Sequence, residues 1–309
     1  MKTPLVSIVI PCYNAELFVG EAISSAKSQL YPNIEIIVVD DGSADKTWEI
    51  VSSTSGVKCV RQENSGACSA RNLGLKYASG EYVKFLDADD LLAPDSISTQ
   101  VKAAVTLDEK AIIFGGYKTF PNTNSRERLG ALRFPNIDVH PCQDVSLVLT
   151  NINTPLSLYP KHALEKCGGF NDSLTSRQEW ALNQDLSRAG FKFFLNNDFV
   201  VSVRHHHSPS RITNRSFSPE VEFLNILKIY GSSDLTIHSD MAHAWSWIFR
   251  NAGRQAIKNG FSPECFFNIS KDLDPLAVRK FWRRDYKLIC NVFGAVMAEK
   301  IISLRRMIL

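Results

Sequence analysis

The run "NSGACSARNLGLKYASGEYVKFLDADD", residues 64–90, decides how the chain reads. Ala70, Leu73 and Tyr77 recur at helical spacing, and Gly80 stands where such a helix would stop. Tyr82 to Leu86 is short and largely apolar, as a buried strand would be, and it runs directly into Asp87, Asp89 and Asp90. Helix, strand and acidic cluster follow one another without a spacer.

The same alternation extends towards the amino terminus. "VSIVIP" (6–11), "IEIIVVD" (34–40) and "VKCVRQ" (57–62) read as buried strands. Val19, Ile23, Ala26 and Leu30 form one apolar stripe of a helix that Pro32 closes, and "DKTWEIVSS" (45–53) reads as a second helix. Strict alternation predicts an α/β fold, a parallel sheet covered by helices on both faces. In such sheets ligands sit beyond the carboxyl ends of the strands. "PCYNAE" (11–16), "DDGSADKT" (40–47) and "DADD" (87–90) all fall there. Turn formation alone explains each cluster singly; their convergence on one rim points to a site.

From about residue 118 to 150 the period is lost, which predicts either a loop over the site or an irregular subdomain. "PLSLYPKHALEKCGGF" (155–170) resumes a strand–helix pattern, "RQEWALNQDLSRAGFKFFLN" (177–196) reads as helix then strand, and "DFVVSVRHHH" (198–207) as a further strand. Beyond residue 218 the chain reads as helical, most clearly in "VEFLNILKIYG" and "HAWSWIFRNAGRQAIKNG". The expected division is a domain of residues 1–218 and a helical region of residues 219–309.

Composition bounds the function. The 309 residues are 44% hydrophobic and carry a net charge of +3, too mild to imply a nucleic-acid partner. No apolar run approaches the roughly 20 residues of a membrane span, and the short, Pro-interrupted start does not read as a signal peptide. Seven scattered cysteines without a CxxC pair indicate neither a disulfide framework nor a zinc site, so a cytoplasmic protein is expected.

Asp87 and Asp89 are two apart and share one face of an extended segment. Carboxylates so placed repel unless a cation lies between them, and a small oxygen set suits Mg²⁺ or Mn²⁺ with substrate phosphates. The alternative makes Asp89 and Asp90 a helix cap ahead of "LLAPDSI". Other phosphate motifs are missing: there is no GxGxxG after the first strand and no GxxxxGK[ST]. "VVDDGSADKT" is not an aspartate-phosphatase motif, because Val39 stands where the nucleophile would be.

In order and spacing, "VSIVIPCYNAE", "IEIIVVDDGSADKTWEIV", the run at 64–90 and "CGGFNDSL…EWALNQDLSRAGF" resemble family 2 glycosyltransferases. The resemblance covers roughly residues 4 to 215. It implies a GT-A fold, mainly parallel and Rossmann-like, and an inverting transfer from a nucleoside-diphosphate sugar, UDP-linked most often, with GDP and dTDP open. "DAD", Asp87-Ala88-Asp89, resembles the DxD motif: Asp89 is implied as direct ligand of Mn²⁺ or Mg²⁺, and Asp87 as partner of the ribose or a metal-bound water. Pro11, Tyr13, Asn14 and Glu16 match the nucleoside pocket, Asp41 the acid that binds the base, and Gly66 and Arg71 the segment bordering the nucleotide.

The general base departs from the pattern. Where the family has Glu-Asp-Trp-x-Leu, this chain has Gln178-Glu179-Trp180-Ala181-Leu182, so Glu179 takes the Asp position with one more methylene. "VRHHH" resembles the family's Arg-x-His segment, which implies His206 in the metal shell, with Arg204 and Arg211 placed to neutralise diphosphate charge. The implied partners are the nucleotide-sugar donor and a glycan or glycolipid acceptor, in cell-surface polysaccharide or glycolipid assembly. Two alternatives stand beside this: an inactive nucleotide-sugar-binding or scaffold protein, and a nucleotide-sugar hydrolase or pyrophosphorylase, which the missing glycine-rich loop disfavours. At the carboxyl terminus, "RKFWRRDYK" (279–287) and "AEKIISLRRMIL" (298–309) read either as a basic amphipathic contact with the inner membrane face or as helices packing on the enzyme or in a homodimer.

Overall fold

β1 (Val6–Cys12) is buried at every position. It pairs in parallel with β2 (Ile34–Asp40), Cys12 lying opposite Asp40, and on its other side with β4 (Tyr82–Phe85). β3 (Lys58–Arg61) continues the parallel set beyond β2. α1 (Val19–Lys27), α2 (Thr47–Ser53) and α3 (Ala67–Tyr77) make the crossovers. α3 lies directly on the sheet: a Cβ on Gly74 would sit 2.2 Å from Val9 Cγ1. The computed structural model describes residues 3–121, 130–139, 141–205, 239–258 and the positions 225, 226, 229 and 266.

Two helix boundaries differ from expectation. α1 ends at Lys27, and Leu30, the fourth member of the stripe, is 71% exposed. α3 ends at Tyr77 with Ala78 as its cap, and Gly80 has a different role. A Cβ at Gly80 would meet Leu5 O and Ser7 N at 2.7 Å, so the glycine lets the chain pass close against β1.

The sheet is mainly parallel but not wholly so. Beyond β4 lies β7 (Ser157–Pro160), antiparallel to β4 and to β6 (Ala111–Pro121); β8 (Lys192–His205) runs parallel to β6, and β5 (Leu91–Leu92) antiparallel to β8. The order is β3-β2-β1-β4-β7-β6-β8-β5. β8 is one strand where the sequence suggested two. Its register against β6 shifts around Gly116, which lets Asn196 to Asp198, the junction of the two expected strands, sit inside one strand.

The stretch expected to be irregular is partly ordered. Beyond β6, Arg133 exchanges backbone bonds of 2.8 and 2.9 Å with Tyr117 of that strand, and α5 (Gln143–Leu149) follows. α4 (Ser96–Ala104), a 3₁₀ turn at Thr154–Leu156, α6 (Lys161–Lys166) and α7 (Gln178–Arg188) flank the sheet's second half. The chain divides into two compact units, Met1–Gln143 with Thr150–Asn214, and Asp144–Leu149 with Arg215–Leu309. In the second, α8 (Ser239–Lys258) buries Trp245, Phe249, Ala252 and Ala256. Most of "VEFLNILKIYG" and both basic carboxyl-terminal stretches lie outside the described residues.

β4 also carries an unexpected core residue. Lys84 is fully buried, with Nζ donating to Gln100 Oε1 at 2.7 Å, and burial drives its pKa well below the ordinary lysine value. Gln100 in turn donates to the Ile113 and Leu156 carbonyls.

Candidate active site

The carboxyl ends of β1, β2 and β4 lie side by side, where the strand order reverses between β1 and its two neighbours. Asp41 N donates to Cys12 O at 2.8 Å, and Leu86 N to Val9 O at 2.9 Å, so the polar clusters leave the sheet as neighbours. The loops after β1 and β2 are laced together. Asn14, left-handed at φ 48°, donates its N–H to Ser43 Oγ and accepts from Ala44 N through Oδ1, both at 2.9 Å. Glu16 N donates to Asp45 Oδ2, while Glu16 Oε2 accepts from Lys46 N. Of the four residues expected to line the nucleoside pocket, Asn14 and Glu16 therefore hold the loops, Pro11 is buried in β1, and Tyr13 is exposed.

Asp41 is buried and accepts three bonds: from Ser65 N at 2.8 Å, Gly66 N at 2.8 Å and Gln62 Nε2 at 2.6 Å. A carboxylate has about four acceptor sites. Asp41 thus fixes the entrance to α3, where Gly66 takes φ 91°, and retains about one site for a ligand.

Asp87 is held by Arg71, whose Nη2 lies 2.8 Å from Oδ1. Burial opposes the Arg71 charge, yet the Asp87 carboxylate beside it keeps the guanidinium pKa above its ordinary value. The guanidinium also faces the Phe170 ring, 5.3 Å from its centroid. Phe170 is fixed in turn by Asn72, which accepts from Phe170 N and donates to Phe170 O, both at 2.8 Å. Ala88 is buried and Asp89 half-buried. Asp90 is no helix cap, since α4 starts only at Ser96: its N–H donates to Asp87 O at 3.0 Å, and its Oδ1 accepts from Arg204 N at 2.9 Å.

Asp87 and Asp89 suit a small divalent cation whose remaining positions come from water and phosphate oxygens. Among the described residues no group of three or more His, Cys, Asp or Glu is arranged to hold a metal ion. His206 and Arg211 lie outside the described residues; His205, at the end of β8, is exposed. The expectation that Arg204 faces a diphosphate is corrected. Its side chain is buried between Phe18 and Phe120, donates to the Asp89 carbonyl, and ion-pairs with Glu21.

Glu179 stands in the first turn of α7, behind Arg177 in a left-handed conformation at φ 60°. Its Oε1 accepts from Asn151 Nδ2 at 2.9 Å. Asn151 was missed in the sequence because no motif marks it; only the fold brings it to Glu179. The Glu179 charge reaches the acidic rim. The Cys68 thiol is pushed up to about 11, first by burial and in part by Glu179, with Arg71 pulling the other way. Glu179 likewise contributes to the raised pKa of Arg71 itself. The carboxylate of α7 thus makes a minor contribution at Arg71, the residue that holds Asp87.

A parallel β3-β2-β1-β4 half, a mixed continuation through β7, and an acidic turn after β4 constitute a Rossmann-like GT-A fold. Staphylococcus aureus TarS 1–349, solved in complex with UDP-GlcNAc, matches with a TM-score of 0.70 at 19% identity, over 98% of this chain and 92% of that one. A Pyrobaculum calidifontis mannosyltransferase in complex with GDP-Man and Mn²⁺ matches at TM-score 0.56 and 16% identity, over 98% and 88%. At these identities the likeness is one of fold. The glycosyl transferase family 2 profile matches residues 7–163, a span that contains Asp41, Asp87 and Asp89 and stops before Glu179. An uncharacterized glycosyltransferase of Rickettsia prowazekii (strain Madrid E) is 32% identical over 98% of this chain and 92% of its own length. One from Rickettsia typhi (strain ATCC VR-144 / Wilmington) is 33% identical over 72% and 70%. The chain belongs to glycosyl transferase family 2, and it is a glycosyltransferase.

Proposed function

We propose that the protein is an inverting, metal-assisted glycosyltransferase that moves a sugar from a nucleoside-diphosphate sugar, UDP-linked first, to an acceptor hydroxyl. The observation that carries this reading is the Asp87-Ala88-Asp89 turn at the end of β4, its first carboxylate held by the buried Arg71. The bound UDP-GlcNAc of TarS, and the GDP-Man and Mn²⁺ of the mannosyltransferase, support the same class of donor on the same fold.

In this reading the β1 and β2 loops, with Asp41 and Gly66, receive the nucleoside, and Asp87 and Asp89 hold Mn²⁺ or Mg²⁺. That cation supplies Lewis-acid neutralisation of charge on the departing diphosphate. Glu179 accepts the proton of the acceptor hydroxyl. The acceptor oxygen forms its bond to the anomeric carbon as the bond to the diphosphate oxygen breaks with its electron pair. A single displacement inverts the configuration, so no side chain forms a covalent intermediate. Arg71 aims Asp87 through its ion pair, and Asn151 aims Glu179 through one hydrogen bond.

Residues 1–218 form the catalytic domain in this account, and residues 219–309 a helical region. No helix among the described residues is long and apolar enough to cross a membrane. The acceptor is a glycan or glycolipid of cell-surface assembly. The deciding experiment is a panel of UDP-, GDP- and dTDP-sugars with Mn²⁺ or Mg²⁺, read by released nucleoside diphosphate with and without candidate acceptors. Metal-dependent release that rises with an acceptor supports the reading. Tight donor binding without any release would mark an inactive binding protein instead.

A further inference from the structure

We infer that Arg204 is a positioning residue that fixes the Asp87–Asp89 turn for a cation and diphosphate, an inference that rests on the function proposed above. The turn leaves the sheet after Leu86, whose N–H still donates to Val9 O on β1, and within it Asp90 N donates to Asp87 O. The far end of the turn is tied to β8, where each of two distant backbone segments is held by the other's side chain. Asp90 Oδ1 accepts from Arg204 N at 2.9 Å across 114 positions, and Arg204 Nε donates to Asp89 O at 3.0 Å across 115. The carbonyl so held belongs to the residue expected to ligate the metal.

Arg204 is itself immobilised. Nη2 donates to Glu21 Oε2 at 3.0 Å on α1, and the guanidinium lies 5.1 Å from the Phe18 ring and 4.5 Å from the Phe120 ring. The residue is 4% exposed. Burying a guanidinium costs desolvation and rotamer entropy, and a well-packed apolar side chain would stabilise the fold as well or better. A guanidinium is required only if two acceptors in different directions must be held by one rigid plane. Those acceptors are the metal turn and the helix that follows the nucleoside loop, so the geometry of the site depends on this fork.

The test separates metal-assisted binding from binding of the nucleotide alone. UDP, GDP and dTDP are titrated calorimetrically into wild type and variants, in EDTA and with Mn²⁺, and the gain in affinity on adding Mn²⁺ is the readout. Arg204→Met should keep the nucleotide affinity measured in EDTA and lose about tenfold of the Mn²⁺-dependent gain, the scale on which partners of metal ligands act (~10–100-fold). Arg204→Lys should fall between, because one ammonium cannot serve both acceptors. A folded Arg204→Met with the wild-type gain overturns the inference while leaving the site reading intact. Equal losses with and without Mn²⁺ overturn it too, since they mark a merely structural residue. If the Met variant does not fold, the Lys variant decides by the same comparison. A wild type with no Mn²⁺-dependent gain for any of the three nucleotides removes the metal role of Asp87 and Asp89, and this inference with it.

Discussion

Under the proposed function, the donor side and the acceptor side of the site are built to different standards. On the donor side, Asp41 accepts three bonds, Asp87 is gripped by a buried arginine, and the Asp89 carbonyl is held from β8. On the acceptor side, the half-buried Glu179 accepts one side-chain bond among the described residues, from Asn151. The difference follows from what each side must do. A nucleoside diphosphate is a fixed shape with fixed charge, so a rigid, satisfied cradle loses nothing by being preorganised. A general base must keep one oxygen open to a hydroxyl that arrives from solvent. The chain's substitution of Glu for the family's usual Asp falls on that less constrained side, where one extra methylene is tolerated most easily.

The contrast makes graded predictions. Asp89→Ala should cut metal-dependent turnover by at least about 100-fold while leaving thermal stability near wild type, because the cation's stabilisation of the leaving group is worth several kcal/mol and the side chain is only half-buried. Turnover that survives in this variant would remove the DxD assignment. Asp41→Ala strips the acceptor from Ser65 N, Gly66 N and Gln62 and should destabilise the fold by about 3 kcal/mol in urea denaturation. A loss well under 1 kcal/mol would mean the cradle is looser than described. Asn151→Ala should lower turnover by only about fivefold, the equivalent of one hydrogen bond near 1 kcal/mol, with an unchanged melting temperature. A drop as deep as that of Asp89→Ala would erase the contrast between the two sides.

Lys84 gives a smaller, pH-dependent effect on the donor side. Burial lowers its folded pKa, so between that value and about 10.4 the unfolded chain holds a proton that the folded chain does not. Stability from this residue is therefore full above the unfolded pKa and lost as pH falls towards the folded one. Relative to Lys84→Met, wild type should gain stability as the pH rises from 7 to 10. Parallel stability curves for the two proteins would contradict a lysine buried without its charge.

Much of the parallel half of the sheet was legible because its signals are local. β1 to β4 follow from short apolar runs, and the strand-end clusters at 11–16, 40–47 and 87–90 do meet at one rim. What stayed hidden depends on contacts between distant residues. The Asn72–Phe170 exchange spans 98 positions, and Arg204 looked like a free cation because nothing near it in sequence announces Asp89 or Glu21. Asn196 to Asp198 broke the β8 pattern because a register shift in the ladder absorbs turn formers that a regular strand would reject. Gly80 read as a helix stop for the same reason: the close passage of β1 that requires it cannot be seen from its neighbours.

The most direct test of the account is Glu179→Gln, an amide of equal size that cannot accept a proton. With the best donor and acceptor from the panel, the variant should bind the nucleotide-sugar as tightly as wild type and transfer ~10²–10⁴-fold more slowly. Transfer at the wild-type rate would contradict Glu179 as the base, and a collapse of donor affinity would make it a binding residue of the donor side instead.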